Sequence, residues 1–323
     1  MAQPDVPTGT WLPYVAVGAA TITLVWSANS LFKEIFKPVE NRRSSWNRHQ
    51  KKALAHTVEI MVTDIESAHQ AVKGGANSLE LCANRVEGGT TPSIGFIEEV
   101  VNICRTTSIE VNVLIRPRPG DFVYSPAEFE LIQKDIFAAK LAGADGIVVG
   151  IMTEEGQIDV QRMSVIREIT RDMKLTFHRA FDLCVDYQRA IEDIARIGCD
   201  RLLTSGQEKF AYQASATKKL KKIVELANNR FHVVAGAGVT PDNVQEIIRQ
   251  SRVPGIHCSN GVNKTVLTSL NIDQTLETPL FTMAAEMKVW KGVKETLVNT
   301  LAERSWEVWI EQEYEREKKS AKN

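Results

Sequence analysis

From Val58 onward the chain alternates between short apolar runs and longer amphipathic stretches. The apolar runs at 58–62, 78–82, 109–115, 146–150, 174–178, 201–204, 231–235 and 255–258 have strand length and are bounded by turn residues. Between them, 64–73, 93–105, 126–141, 159–171, 187–197, 213–228 and 241–250 carry apolar residues at helical spacing. Asp64, Ser93, Asp159, Asp186 and Thr240 stand near the helix starts, where a short oxygen-bearing side chain caps free N–H groups. The runs 74–76, 142–146 and 197–200 close helices with the glycine that a left-handed turn favours. Eight strands alternating with helices predict an α/β fold, a (β/α)8 TIM barrel over 58–259. An open doubly wound sheet is the competing arrangement. No Gly-x-Gly-x-x-Gly turn follows the first strand, which counts against a dinucleotide fold.

The flanks lack this rhythm. No charged residue lies between Asp5 and Lys33, and 12–32 is mostly apolar. That length suits a hydrocarbon core of ~30 Å, and Trp11, Tyr14 and Trp26 suit its interfaces. Lys33, Lys37, Arg42, Arg43, Arg48, Lys51 and Lys52 follow, which predicts a transmembrane anchor with the barrel on the cytoplasmic side. The alternative is a disordered or interfacial extension, because Gly18, Ser27, Asn29 and Ser30 weaken the span. The organisation expected is therefore an N-terminal extension (1–57) with anchor and basic linker, the barrel (58–259), and a C-terminal irregular segment with a helical tail (260–323). In that tail 284–319 has helical character, with Trp290, Leu297, Leu301, Trp306 and Trp309 as apolar anchors.

Charge and cysteine usage narrow the function. A formal net charge of −1 over 323 residues gives no electrostatic footprint for nucleic acid. The five cysteines are odd in number and contain no Cys-x-x-Cys pair, which argues against a disulfide framework or structural zinc and for a reducing compartment.

Several strands break into polar clusters at their ends, where parallel barrels hold ligands. Glu80, Arg116, Arg118, Asp121, His178, Arg179, Asp182 and His257 all fall there. If the protein is an enzyme, His178, Asp182 and Glu80 form its acid–base set. Arg116, Arg118, Arg179 and His257 would then bind a small phosphate- or carboxylate-bearing ligand. A salt-bridge network that props the mouth open is the competing reading. His257 and Cys258 are adjacent in one strand and point to opposite faces, so His257 is placed in the interior and Cys258 in the packing layer. Cys82 and Met61 end neighbouring strands ~4.8 Å apart, close enough for their sulfurs to meet. On the residues alone core packing is the simpler account, since free Cys and Met are usually buried hydrophobes. Cys104, Cys184 and Cys199 receive no role, and His49, His56, His69 and His232 read as surface or linker residues.

The runs Glu-Leu-Cys-Ala-Asn-Arg (80–85), Glu-Gly-Gly-Thr-Thr-Pro-Ser-Ile-Gly (87–95), Ile-Arg-Pro-Arg-Pro-Gly-Asp-Phe (115–122), Gly-Ala-Asp-Gly-Ile-Val-Val-Gly (143–150), Thr-Phe-His-Arg-Ala-Phe-Asp (176–182), Leu-Leu-Thr-Ser-Gly (202–206) and His-Cys-Ser (257–259) occur in order. As a set the chain resembles the CutC family of copper homeostasis proteins. The resemblance implies a TIM barrel, copper handling with Cu(I) as the bound ion, and a cytoplasmic location. Three positions depart from the family pattern. Met61 stands where a cysteine is usual, Pro119 replaces a glycine, and Gly236-Ala237-Gly238 replaces a triple glycine. Three functions follow as expectations: copper binding at Cys82 and Met61, an enzyme for a small anionic metabolite, and a membrane-tethered scaffold. Assembly into a homo-oligomer is compatible with each.

Overall fold

The computed structural model describes residues 56–259 and 295–320. Its strands are β1 (Thr57–Val62), β2 (Ser78–Leu81), β3 (Glu110–Leu114), β4 (Gly146–Val149), β5 (Lys174–Phe177), β6 (Arg201–Thr204), β7 (His232–Ala235) and β8 (Gly255–Cys258). Each pairs in parallel with its sequence neighbour, and β8 pairs with β1, so the sheet closes into a barrel. The helices are α1 (Ile65–Lys73), α2 (Ile94–Cys104), α3 (Pro126–Leu141), α4 (Val160–Ile169), α5 (Tyr187–Ile197), α6 (Ala214–Ala227), α7 (Val244–Ser251) and α8 (Glu295–Ser320).

Asp64, Ser93, Asp159 and Asp186 each accept a hydrogen bond from a first-turn N–H, as expected of helix caps. Thr240 does not. The chain first makes a turn in which the backbone N–H groups of Asn243 and Val244 both donate to the Thr240 carbonyl, and α7 starts only at Val244. The fullest cap is at Ser125, at the start of α3. Ser125 accepts from the Glu128 N–H while the Glu128 carboxylate accepts from the Ser125 N–H, and Pro126 opens the helix.

Strand alternation divides the side chains into two sets. Ile60, Leu79, Val111, Ile147, Leu175, Leu202, Val233 and Ile256 are buried in the core between sheet and helices. Burial of each such side chain is worth roughly 1.5–3 kcal/mol. The alternate positions face the barrel interior, and many are polar. Outside the ring, α8 packs against α7, α1 and β1 and buries Val298, Leu301 and Val308. The segment expected as a tail thus occupies the place of an eighth outer helix. Leu301 is buried there as anticipated, whereas Trp290, Leu297, Trp306 and Trp309 lie outside the described side chains.

The expected span at 12–32 and the following linker also lie outside the described residues. Among the described residues, no helix is long and apolar enough to cross a membrane.

Candidate functional site

The barrel interior carries a chain of charges. Glu59 of β1 meets Arg201 of β6 at 2.9 Å, and these strands are not neighbours, so the contact crosses the lumen. Glu59 also accepts from Ser78 at 2.9 Å and from Asn112 at 3.1 Å. Arg201 reaches Glu110 at 3.3 Å, and Lys174 pairs with the same carboxylate. His257 stands between two acids, its Nδ1 3.4 Å from Glu59 and its Nε2 3.3 Å from Glu80. Burial opposes the charge on Glu59, but its hydrogen bond with His257 and the Arg201 guanidinium outweigh it and hold the carboxyl below its ordinary value. Burial likewise opposes a charged His257, yet Glu80 and Glu59 together raise the imidazole. For Glu80 burial wins over the attraction of His257, and its carboxyl is pushed up.

Above this network the interior becomes apolar. Met61, Cys82, Leu114 and Val148 form one small buried cluster, separate from the main core. The Cys82 N–H donates to the Val62 carbonyl at 3.0 Å, which brings the ends of β1 and β2 together. The loop after β2 folds back over the thiol at Gly89, whose φ is +96°. A Cβ there would lie 2.7 Å from Leu114 Cδ2 and 3.5 Å from Cys82 Sγ. Burial, then the Glu80 and Glu59 carboxylates, push the Cys82 thiol well above its ordinary value.

At the mouth, Arg116 is buried and donates through Nη1 to the Glu87 and Gly89 carbonyls and through Nη2 to the Gly120 carbonyl. Its guanidinium lies 4.9 Å from the centroid of the Phe122 ring. His178 approaches the same ring at 4.8 Å and accepts through Nδ1 from the Ala180 N–H at 3.2 Å. Burial, then Arg116, lower its pKa to about 3, so the ring is neutral.

The expected acid–base set of His178, Asp182 and Glu80 serves three different places. Glu80 lies inside the barrel against His257. Asp182 accepts from Thr204, Ser205, Gln207 and Arg179, clamping the loop after β5 to the loop after β6. Arg179 joins that clamp through Ser205. Arg118 directs all five of its N–H groups to Glu128, Pro119, Asp121 and Val123, so it secures its own loop. His257 faces the interior, while Cys258 packs in the core with Sγ 3.3 Å from the Val239 carbonyl. Two histidines correct the sequence reading. His232 is an interior residue whose Nε2 pairs with Thr57 at 3.0 Å, and His56 is half-buried beside Val253 and Pro254. Burial lowers each to about 4. His69 is exposed, and His49 lies outside the described residues. Glu59 and Arg201 escaped notice, although charged residues at inward positions of apolar strands are the signal that marks them.

The CutC family model matches residues 56–262. The chain belongs to the CutC family. A CutC family protein of Aliivibrio fischeri is 41% identical over 218 residues, covering 67% of this chain and 86% of that protein. The human copper homeostasis protein cutC homolog is 42% identical over 202 residues, covering 62% and 72% of the two chains. The crystal structure of a protein named as the copper homeostasis protein CutC of Streptococcus agalactiae superposes with a TM-score of 0.59 at 33% identity, covering 62% of this chain and 97% of its own. The matched region ends before α8.

The donor set of the interior cluster suits Cu(I): one thiol and one thioether, enclosed by Leu114 and Val148. Among the described residues, no group of three or more His, Cys, Asp or Glu side chains is arranged to hold a metal ion.

Proposed function

We propose that the protein acts in copper homeostasis by holding Cu(I) between Cys82 and Met61. The observation that carries this reading is that both sulfurs lie in one buried cluster at the carboxyl ends of β1 and β2. The copper role named for the human and streptococcal relatives supports it. Cys82 would bind as the thiolate and Met61 as a neutral thioether, the weaker ligand. The thiol proton leaves as copper adds. The Cys82 thiol donates to the Glu80 backbone carbonyl at 4.0 Å, and the Glu80 carboxyl, raised by burial, interacts electrostatically with the same thiol and is a candidate to take that proton. Copper affinity therefore falls as pH falls.

The test is anaerobic competition against a Cu(I) chelator with the wild-type chain, Cys82→Ser and Met61→Leu. Cys82→Ser should abolish binding and Met61→Leu should weaken it. Equal affinity in all three would remove copper from this site.

We further propose that residues 12–32 tether the barrel to a membrane, on the length and apolar character of that segment. Carbonate extraction of the full chain tests this, and release into the supernatant would remove the tether.

A further inference from the structure

Arg116 and His178 at the mouth each carry a buried nitrogen without a hydrogen-bond partner. Arg116 is 6% exposed and His178 5%. No carboxylate of the described residues pairs with Arg116, whose other hydrogen bonds go to backbone carbonyls and to no counter-ion. A buried cation without a counter-ion is costly, and its Nε is without a hydrogen-bond partner. His178 shows the complementary feature. Its Nδ1 accepts from the Ala180 N–H, so its proton resides on Nε2, and that buried donor is also without a partner. Both groups border the Phe122 ring, which places them in one corner of the mouth. Gly150 makes room for the imidazole, since a Cβ there would lie 2.5 Å from Nδ1.

We propose that Arg116 and His178 form a binding site for the oxyanion of a small molecule, a carboxylate or a phosphate. The fixed charge of Arg116 supplies the attraction. Its Nε–H and the neutral His178 Nε2–H supply two donors toward an acceptor-only group. Because the imidazole is uncharged, the site offers one positive charge and a directional hydrogen bond. Its burial selects a small anionic head group. Arg116 also holds the Gly89 loop that covers Cys82, but the proposal does not rest on copper binding.

The test uses the full chain with histidine labelled in 15N, titrated separately with inorganic phosphate and with acetate in chloride-free buffer. One of the probes should bind saturably and shift the His178 Nε2 resonance while His257 stays in place. His178→Asn keeps an oxygen to accept from the Ala180 N–H but removes the Nε2 donor. It should retain the wild-type melting temperature and weaken the probe by about tenfold or more. Phosphate binding alone would identify a phosphoryl ligand, and acetate binding alone a carboxylate. The proposal is overturned if neither probe moves His178, or if His178→Asn folds and binds the probe as tightly as wild type. Cu(I) affinity should be the same in His178→Asn, so a failure of the copper reading appears separately in the cysteine and methionine variants.

Discussion

Glu59 of β1 and Arg201 of β6 form an ion pair at 2.9 Å across the barrel lumen, with both side chains buried. Such a pair gains little over an apolar equivalent, but losing one partner strands the other charge. Glu59→Gln and Arg201→Met should each destabilise the fold by about 3–5 kcal/mol. In the double variant the losses should fall well short of additive. Urea denaturation at neutral pH checks both.

The same network sets the pH profile of stability. Glu59 has a depressed carboxyl in the folded state, so its contribution is present above the unfolded carboxylate pKa and is lost as pH falls through the depressed value. His257 and Glu80 are both raised, so their contributions are present below their unfolded values and lost as pH rises through the folded ones. The denaturation midpoint should fall at acid pH as Glu59 protonates, and should also fall as pH rises from 4.5 to about 7, where Glu80 ionises, and beyond the ordinary histidine value, where His257 loses its proton. Glu59→Gln should flatten the acid limb, and His257→Gln the part above the ordinary histidine value.

Met61 stands beside Cys82 in the interior cluster. Met61→Cys would add a second thiolate, a stronger Cu(I) ligand than a thioether. Affinity in the chelator competition should rise by about tenfold or more, equivalent to ~1.4 kcal/mol. An unchanged affinity would show that residue 61 does not touch the ion.

Gly150 lies against His178, where a Cβ would approach Nδ1 to 2.5 Å. Gly150→Ala should therefore cost about 1–3 kcal/mol and displace the imidazole. The His178 resonance should shift in the free protein, and oxyanion binding should weaken with it.

The capping box at the start of α3 also holds Arg118 through Glu128. Ser125→Ala should lower stability by ~1 kcal/mol. Thermal unfolding checks this, with Cu(I) affinity unchanged.

Local pattern alone determined the eight strands and the seven helices between them, because alternation and helical spacing are properties of neighbouring residues, whereas the place of α8 came from packing. Asp64, Ser93, Asp159 and Asp186 cap their helices as read, since a cap is a contact over two or three residues. Thr240 was misplaced because the turn at 241–243 satisfies the backbone by another route. The interior or packing role of His257 and Cys258 was equally legible, since alternation decides it. Only closure of the barrel could decide which charges meet. Glu59 finds Arg201 at a separation of 142 residues and His257 at 198, distances at which no periodicity carries information. That closure drew Glu80 to His257 in the lumen and Asp182 to the loop after β6, while Arg118 turned to its own loop. It also left Arg116 and His178 together with donors to spare. Buried polar groups must find partners wherever the fold brings them, so the composition of the mouth was written in the motifs and its division of labour only in the tertiary structure.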